Sequence, residues 1–158
     1  MSEVDRTLFD FTIAIQPARR AWVQAVGAAL TDDRLPMSLA LVIVLASRMG
    51  PAANQRALAM EIGINPAALV RVLDQGESAG LLRRCDVPGN RRTKAVELLP
   101  AGQALAEKME TTLTALRAQA LRDVPPEDVA TATRVLRTLE AQSLACVAAG
   151  AQKAPESP

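Results

Sequence analysis

Histidine and tyrosine are absent from this sequence, cysteine occurs twice, and the aromatics are limited to Phe9, Phe11 and Trp22. The lack of histidine removes the commonest general base and the commonest metal ligand. Cys85 and Cys146 lie too far apart in sequence to read as a zinc set, and two cysteines make no disulfide framework. No nucleophile motif, paired-carboxylate spacing or phosphate-binding loop is present, so the chain does not read as an enzyme, and no cofactor or metal is expected. No apolar run approaches the roughly 18–20 residues of a membrane span. The longest, Leu39–Ala46, suits a buried helix. Glu3, Asp5 and Arg6 near the start form no leader pattern, so a cytoplasmic location and no membrane partner are expected.

What is present is Ala, Leu and a clustered set of cations. Apolar residues make up 49% of the 158, enough for one core with a helical extension. The formal net charge is only +1, yet Arg56, Arg71, Arg83, Arg84, Arg91, Arg92 and Lys94 all fall between Asn54 and Leu98, where they outnumber the acids. A local basic surface on a near-neutral protein fits a specific polyanionic partner.

The pattern predicts a mainly α fold with a minor β component. Residues 5–30 read as helix with a break or kink near Pro17, which lacks the donor a helix interior needs. A polar link over 31–35 and a helix over 36–49 follow, although Val42, Ile43 and Val44 leave a strand possible. Gly50 and Pro51 end that segment. Asn54 caps a short helix with Leu58 and Ile62 on its inner face, and Gly63 suits a left-handed terminus. Asn65 then caps a second helix with Pro66 at its first position and Leu69, Val72 and Leu73 inward. Two helices separated by so short a turn have helix-turn-helix spacing. Leu81–Cys85 and Thr93–Leu98 read as strands joined through Pro88 and Gly89, which suit a type II turn. A basic hairpin directly after a helix-turn-helix makes a winged helix. Beyond it, Leu105, Met109, Leu113, Leu116 and Ala120 have helical spacing. So do Val129, Ala132, Leu136, Leu139, Ser143 and Cys146, in seam-like steps of three and four. The tail 150–158 is expected to be disordered.

As an ordered set these motifs resemble the MarR family of transcription regulators. The carrying residues are Ala57-Leu58-Ala59 with Ile62-Gly63-Ile64, Leu69-Val70-Arg71-Val72-Leu73-Asp74-Gln75 with Glu77 and Gly80-Leu81, Asn90-Arg91-Arg92-Thr93-Lys94, and Pro100-Ala101-Gly102. The Leu69–Gln75 string, Lys94 and the pair Arg20 and Trp22 look most like the SlyA branch. The resemblance runs from about Gln16 to Leu144. It implies a homodimer with residues 1–35 and 100–149 as the dimerisation helices, 36–99 as the winged helix-turn-helix, and two reading helices in successive major grooves of double-stranded DNA. It also implies a small aromatic or lipophilic effector. Four positions depart from the pattern. Asn90 replaces an Asp that pairs with an Arg two residues on, and the wing is one residue longer. Leu99 replaces a capping Thr, at a cost of about 1 kcal/mol. Gly76 replaces a core Leu inside the reading helix, where glycine costs roughly 1 kcal/mol against Ala. Asn90 and Gly76 motivate an alternative, a helical dimerisation or scaffold protein whose wing no longer binds specific DNA.

Each candidate residue carries two readings. Arg71, on a face shared with Pro66, Ala67 and Val70, can bond a guanine edge while the small side chains touch thymine methyls; otherwise it pairs with Asp74 or Gln75. Arg91 and Arg92 at the hairpin tip can enter a narrow minor groove, or merely keep a turn soluble. Arg56, Arg83, Arg84 and Lys94 suit phosphate contacts. Asn54, Gln55 and Asn65 can present helix-start amides to phosphate, although capping alone explains the asparagines. Arg20, Trp22, Met37 and Met49 can line an effector pocket for a carboxylate on an aromatic ring; the alternative is three core side chains and a surface cation. Cys146, on an apolar stripe, reads as a small buried hydrophobe. Cys85, beside Arg83 and Arg84, is a candidate oxidant sensor if those charges lower its pKa.

Overall fold

The structure, a computed structural model, describes residues 2–30, 35–50, 53–87 and 90–151, without the side chains of residues 87, 90–93 and 151. Helices α1 (Glu3–Ala29), α2 (Met37–Met49), α3 (Gln55–Ile62) and α4 (Pro66–Ser78) precede strands β1 (Leu82–Val87) and β2 (Asn90–Leu98). Helices α5 (Pro100–Ala120) and α6 (Pro126–Ala151) follow. The fold is a mainly helical winged helix with one two-stranded antiparallel sheet. It divides into two compact units, Met1–Arg117 and Ala118–Pro158. The expected link at 31–34, Pro51, the Pro88–Gly89 turn and most of the expected disordered tail lie outside the described residues.

Local chemistry sets the element starts. Ser2 and Asp5 close a reciprocal capping box on α1. Of the break or kink expected at Pro17, the break does not occur: α1 is continuous through it over its 27 residues. Losing one donor does not outweigh the remaining turns of so long a helix. Asn54 Oδ1 accepts from the Ala57 amide at 3.0 Å, and Asn65 Oδ1 from the Ala68 amide at 2.7 Å. Gly63, at φ +75°, ends α3 in the left-handed region that a side chain would oppose. The turn between α3 and α4 is thus bounded by two residues, Gly63 and Asn65, whose preferences are intrinsic.

Helix α2 is helical despite its β-branched run, because it is buried on two sides. Leu39, Val42, Ile43 and Ala46 enter a core with Leu58, Leu69, Leu73 and Leu82. Ala40 and Val44 enter a second cluster with Val26, Leu30, Met109 and Leu113. The strands are longer than their expected bounds, since pairing carries them from Leu82↔Leu98 through Asp86↔Lys94, with an irregularity before Val87↔Asn90. The Val96 amide also donates to the Ala53 carbonyl at 2.8 Å, tying the wing to the residue just before α3.

Three expectations are corrected. Gly76 leaves no gap: a Cβ there would stand 2.7 Å from Leu82 Cδ2 and 3.0 Å from Leu39 Cδ1, so neighbouring leucines already fill the space. Helix α6 extends two residues past the expected boundary at 149, to Ala151. Cys146 is exposed: none of the described side chains of α6 is buried, and Leu136, Leu144 and Val147 are open as well. Among the described residues no helix is long and apolar enough to cross a membrane.

Candidate nucleic-acid interface

Helix α4 separates its residues cleanly. Leu69, Val72, Leu73 and Gly76 are buried, whereas Pro66, Ala67, Val70, Arg71, Asp74 and Gln75 face solvent. The solvent face lacks bulky side chains in its first turns, and Val70 is 40% exposed. An apolar side chain held in water by its backbone suits contact with a methyl group rather than a core. Arg71 makes no hydrogen bond or ion pair among the described residues, so the pairing with Asp74 considered for it is not present. Asn65 is exposed at the start of α4, with its side chain engaged in capping.

A cleft of about 850 Å³ runs between α3, the start of α4 and β2, lined by Arg56, Met60, Pro66, Val70 and Lys94 among others. Gln55 also lines it and is half-buried, as is Asn54, while Arg56 is exposed and has no partner among the described residues. Met60 is 71% exposed. Sequence reading passed over it, although its place outside the Leu58–Ile62 stripe marked it as an outward apolar side chain.

The wing cations differ in how they are held. Arg83 Nε donates to Glu97 Oε2 at 2.8 Å across the sheet, and Lys94 pairs with Asp86 in the same way. Arg84 turns back instead. Its amide and Nε donate to Glu77 at 2.8 and 3.1 Å, and Nη2 reaches Asp74 Oδ1 at 2.6 Å. Hydrogen bonds from Arg84 hold the Glu77 carboxyl below its ordinary pKa, and those from Arg83 do the same for Glu97. Three of the four expected phosphate contacts, Arg83, Arg84 and Lys94, therefore already have carboxylate partners; Arg56 does not. The pairings of Glu97 with Arg83 and of Asp86 with Lys94 become visible only in the strand register. Arg91 and Arg92 lie in β2 by backbone, with side chains outside the described residues.

The expected effector residues are not brought together. Arg20 and Trp22 are exposed on α1. Met37 packs on the second core cluster and Met49 on the first. A different cavity of about 530 Å³ opens between the end of α2, both strands and the start of α5. Its lining combines Ala46, Val96 and Leu98 with Ser47, Glu97 and Glu107. Cys85 also lines it, and its Sγ lies 3.3 Å from Glu97 Oε2. Its thiol is shifted upward, first by burial and then by Glu97, against the smaller opposing pull of Arg83. The arginine charge that would make Cys85 an oxidant sensor is thus outweighed by burial and by the Glu97 carboxylate.

Two capped helices joined at Gly63, with a paired hairpin packed behind them, define a winged helix-turn-helix. Residues 35–94 match the family model described as the MarR family. The transcriptional regulator PA3341 is 29% identical over 84% of this chain and 96% of its own, with a TM-score of 0.77. CouR from Rhodococcus jostii RHA1, solved with p-coumaroyl-CoA, is 22% identical over 82% of this chain and 90% of its own, at 0.69. NadR, solved in complex with 4-hydroxyphenylacetate, is 20% identical over 82% and 91%, at 0.73. The winged helix-turn-helix of this chain is similar to the MarR family model over residues 35–94, and the fold of the chain is that of these solved structures.

Proposed function

We propose that the chain is a DNA-binding transcription regulator of the MarR type. It acts as a homodimer on a near-palindromic operator and responds to a small aromatic or lipophilic effector. The observation that carries this is the solvent face of α4, where unpaired Arg71 stands among Pro66, Ala67 and Val70. A guanidinium with free donors beside small apolar side chains is the set that reads guanine edges and thymine methyls in a major groove. Residues 36–99 are assigned to reading and 1–35 with 100–149 to dimerisation. The Leu69–Gln75 string, Lys94, Arg20 and Trp22 support placement in the SlyA branch. A cytoplasmic site of action follows from a chromosomal target. The scaffold alternative loses one of its two motives, since Gly76 is filled by Leu39 and Leu82.

The test is competition binding to duplexes selected from a random pool by the wild-type protein. Arg71→Ala is expected to lower discrimination at one base pair per half-site by about tenfold, the worth of one bidentate contact. Arg91→Ala with Arg92→Ala is expected to weaken binding to all duplexes and to flatten the dependence on salt. Unchanged binding in both variants contradicts the assignment.

For the effector, we infer that the 530 Å³ cavity beneath the wing is its site. The size lies within the roughly 300–1,000 Å³ of small-molecule pockets. The described lining offers carboxylates and no cation, so it favours a donor head group such as a phenol over a bare carboxylate. CouR and NadR were solved with ligands that carry a phenol. Ser47→Phe, at an exposed position on the cavity wall, should abolish the rise in melting temperature caused by 4-hydroxyphenylacetate or a neutral alkylphenol while leaving operator binding intact. A rise that persists in Ser47→Phe places the effector elsewhere.

A further inference from the structure

We propose that Arg84 is a positioning residue for base recognition: by holding Asp74 it keeps that carboxylate away from Arg71. The inference rests on the reading of Arg71 as the base-contacting side chain. Arg71 and Asp74 are three residues apart on α4, neighbours on one helical face where opposite charges ordinarily meet. Arg71 is also the sole cation of that helix. Yet Arg71 has no ion pair among the described residues, and Asp74 takes its hydrogen bond from Arg84 on β1 at 2.6 Å.

The geometry explains why Arg84 wins. Its guanidinium is anchored before it reaches Asp74, because both its backbone amide and Nε donate to Glu77. Its side chain is 26% exposed, against 55% for Asp74, so the cation arrives from the more enclosed side with little freedom left to lose. The planar fork spans two carboxylates at once, which a single ammonium on a flexible stem does not. A pairing of Arg71 with Asp74 on the open helix face has none of this support, and an exposed i,i+3 pair contributes only about 0.2–0.5 kcal/mol.

Removing Arg84 therefore changes the partner available to Arg71. Asp74 and Glu77 would be left without their cation, and Arg71 is the basic side chain nearest along the helix. An Arg71 drawn to Asp74 must break that pair before it can address a base edge. The wing and the reading helix thus act as one device, in which a strand residue that touches no base decides whether a helix residue is free to do so.

The experiment uses the full chain and duplexes selected by the wild-type protein, in competition at fixed salt. Its readout is discrimination at the base pair that Arg71→Ala flattens. Arg84→Ala is expected to reduce that discrimination about fivefold, a loss within the worth of one bidentate contact. Asp74→Asn alone should leave discrimination within about twofold of wild type, and Arg84→Ala with Asp74→Asn should restore it, since the competing carboxylate is gone. If Arg84→Ala does not fold, Arg84→Lys keeps a charge at Glu77 without spanning both acids and should show the same loss in part. Equal weakening on every duplex, with discrimination intact, makes Arg84 a phosphate contact or a purely structural residue and overturns the proposal. So does a double variant that stays flat. If Arg71→Ala itself leaves discrimination unchanged, the base-reading assignment falls and the role of Arg84 falls with it.

Discussion

Gly102→Ala is expected to destabilise the protein by about 3 kcal/mol or more, at the upper end of overpacking effects, although alanine is the better helix former by about 1 kcal/mol. A Cβ at this position would stand 1.9 Å from the Leu81 carbonyl oxygen and 2.9 Å from its carbon. Both are backbone atoms, so no side-chain rotation relieves the overlap. The same carbonyl accepts from the Leu99 amide at 3.0 Å, and the Leu81 amide donates to the Gly76 carbonyl at 2.9 Å. The exit of α4 and the beginning of α5 are therefore pinned to each other where the methyl would intrude. Relief requires moving one chain and stretching the Leu99 bond. The urea midpoint measures the effect, with Gly150→Ala as the control, since nothing lies within 4 Å of a Cβ there. If Gly102→Ala were the more stable of the two variants, the close approach would be wrong.

The second large effect concerns α6. Leu136→Glu with Leu144→Glu should abolish the proposed dimer and lower affinity for the proposed operator by at least about 100-fold, because coupling two binding heads multiplies affinity by roughly 10²–10⁴. Leu136 is 45% exposed and Leu144 62%, and none of the residues of α6 is buried in the single chain. Apolar side chains left open along a helix in the single chain are what a second copy would bury in the proposed dimer. The substitutions leave both core clusters untouched, so the winged helix should keep its circular dichroism while sedimentation reports monomers. A doubly substituted chain that still sediments as a dimer would remove α6 from the interface.

What was legible in the sequence was local. Asn54, Gly63, Asn65 and Pro66 each carry a backbone preference that acts over three or four residues, and the helices begin and end where those preferences place them. The strands were recognised but cut short, because pairing extends them and pairing is not local. The site was legible as a region more than as a set of partners. The exposure of Arg71 followed from helical periodicity. The turn of Arg84 toward Glu77 and Asp74 did not, because it joins a strand to a helix across a bend at Gly80. The same limit accounts for Cys85: its arginine neighbour was visible, but Glu97, which faces that arginine across the sheet, was not. Met37 and Met49 lie at opposite ends of one helix, and sequence could not assign them to different cores. Gly76 read as a missing leucine until Leu82 and Leu39 were found in its place.

Helix α2 has a mechanical consequence. One of its sides interlocks with α3 and α4, the other with residues of α1 and α5, and close-packed side chains do not slide freely past one another. It therefore behaves as an axle shared by two sets of teeth. A shift of α1 or α5 therefore cannot leave α2 where it is, and the side chains that carry α4 meet that shift through Leu39, Val42 and Ile43.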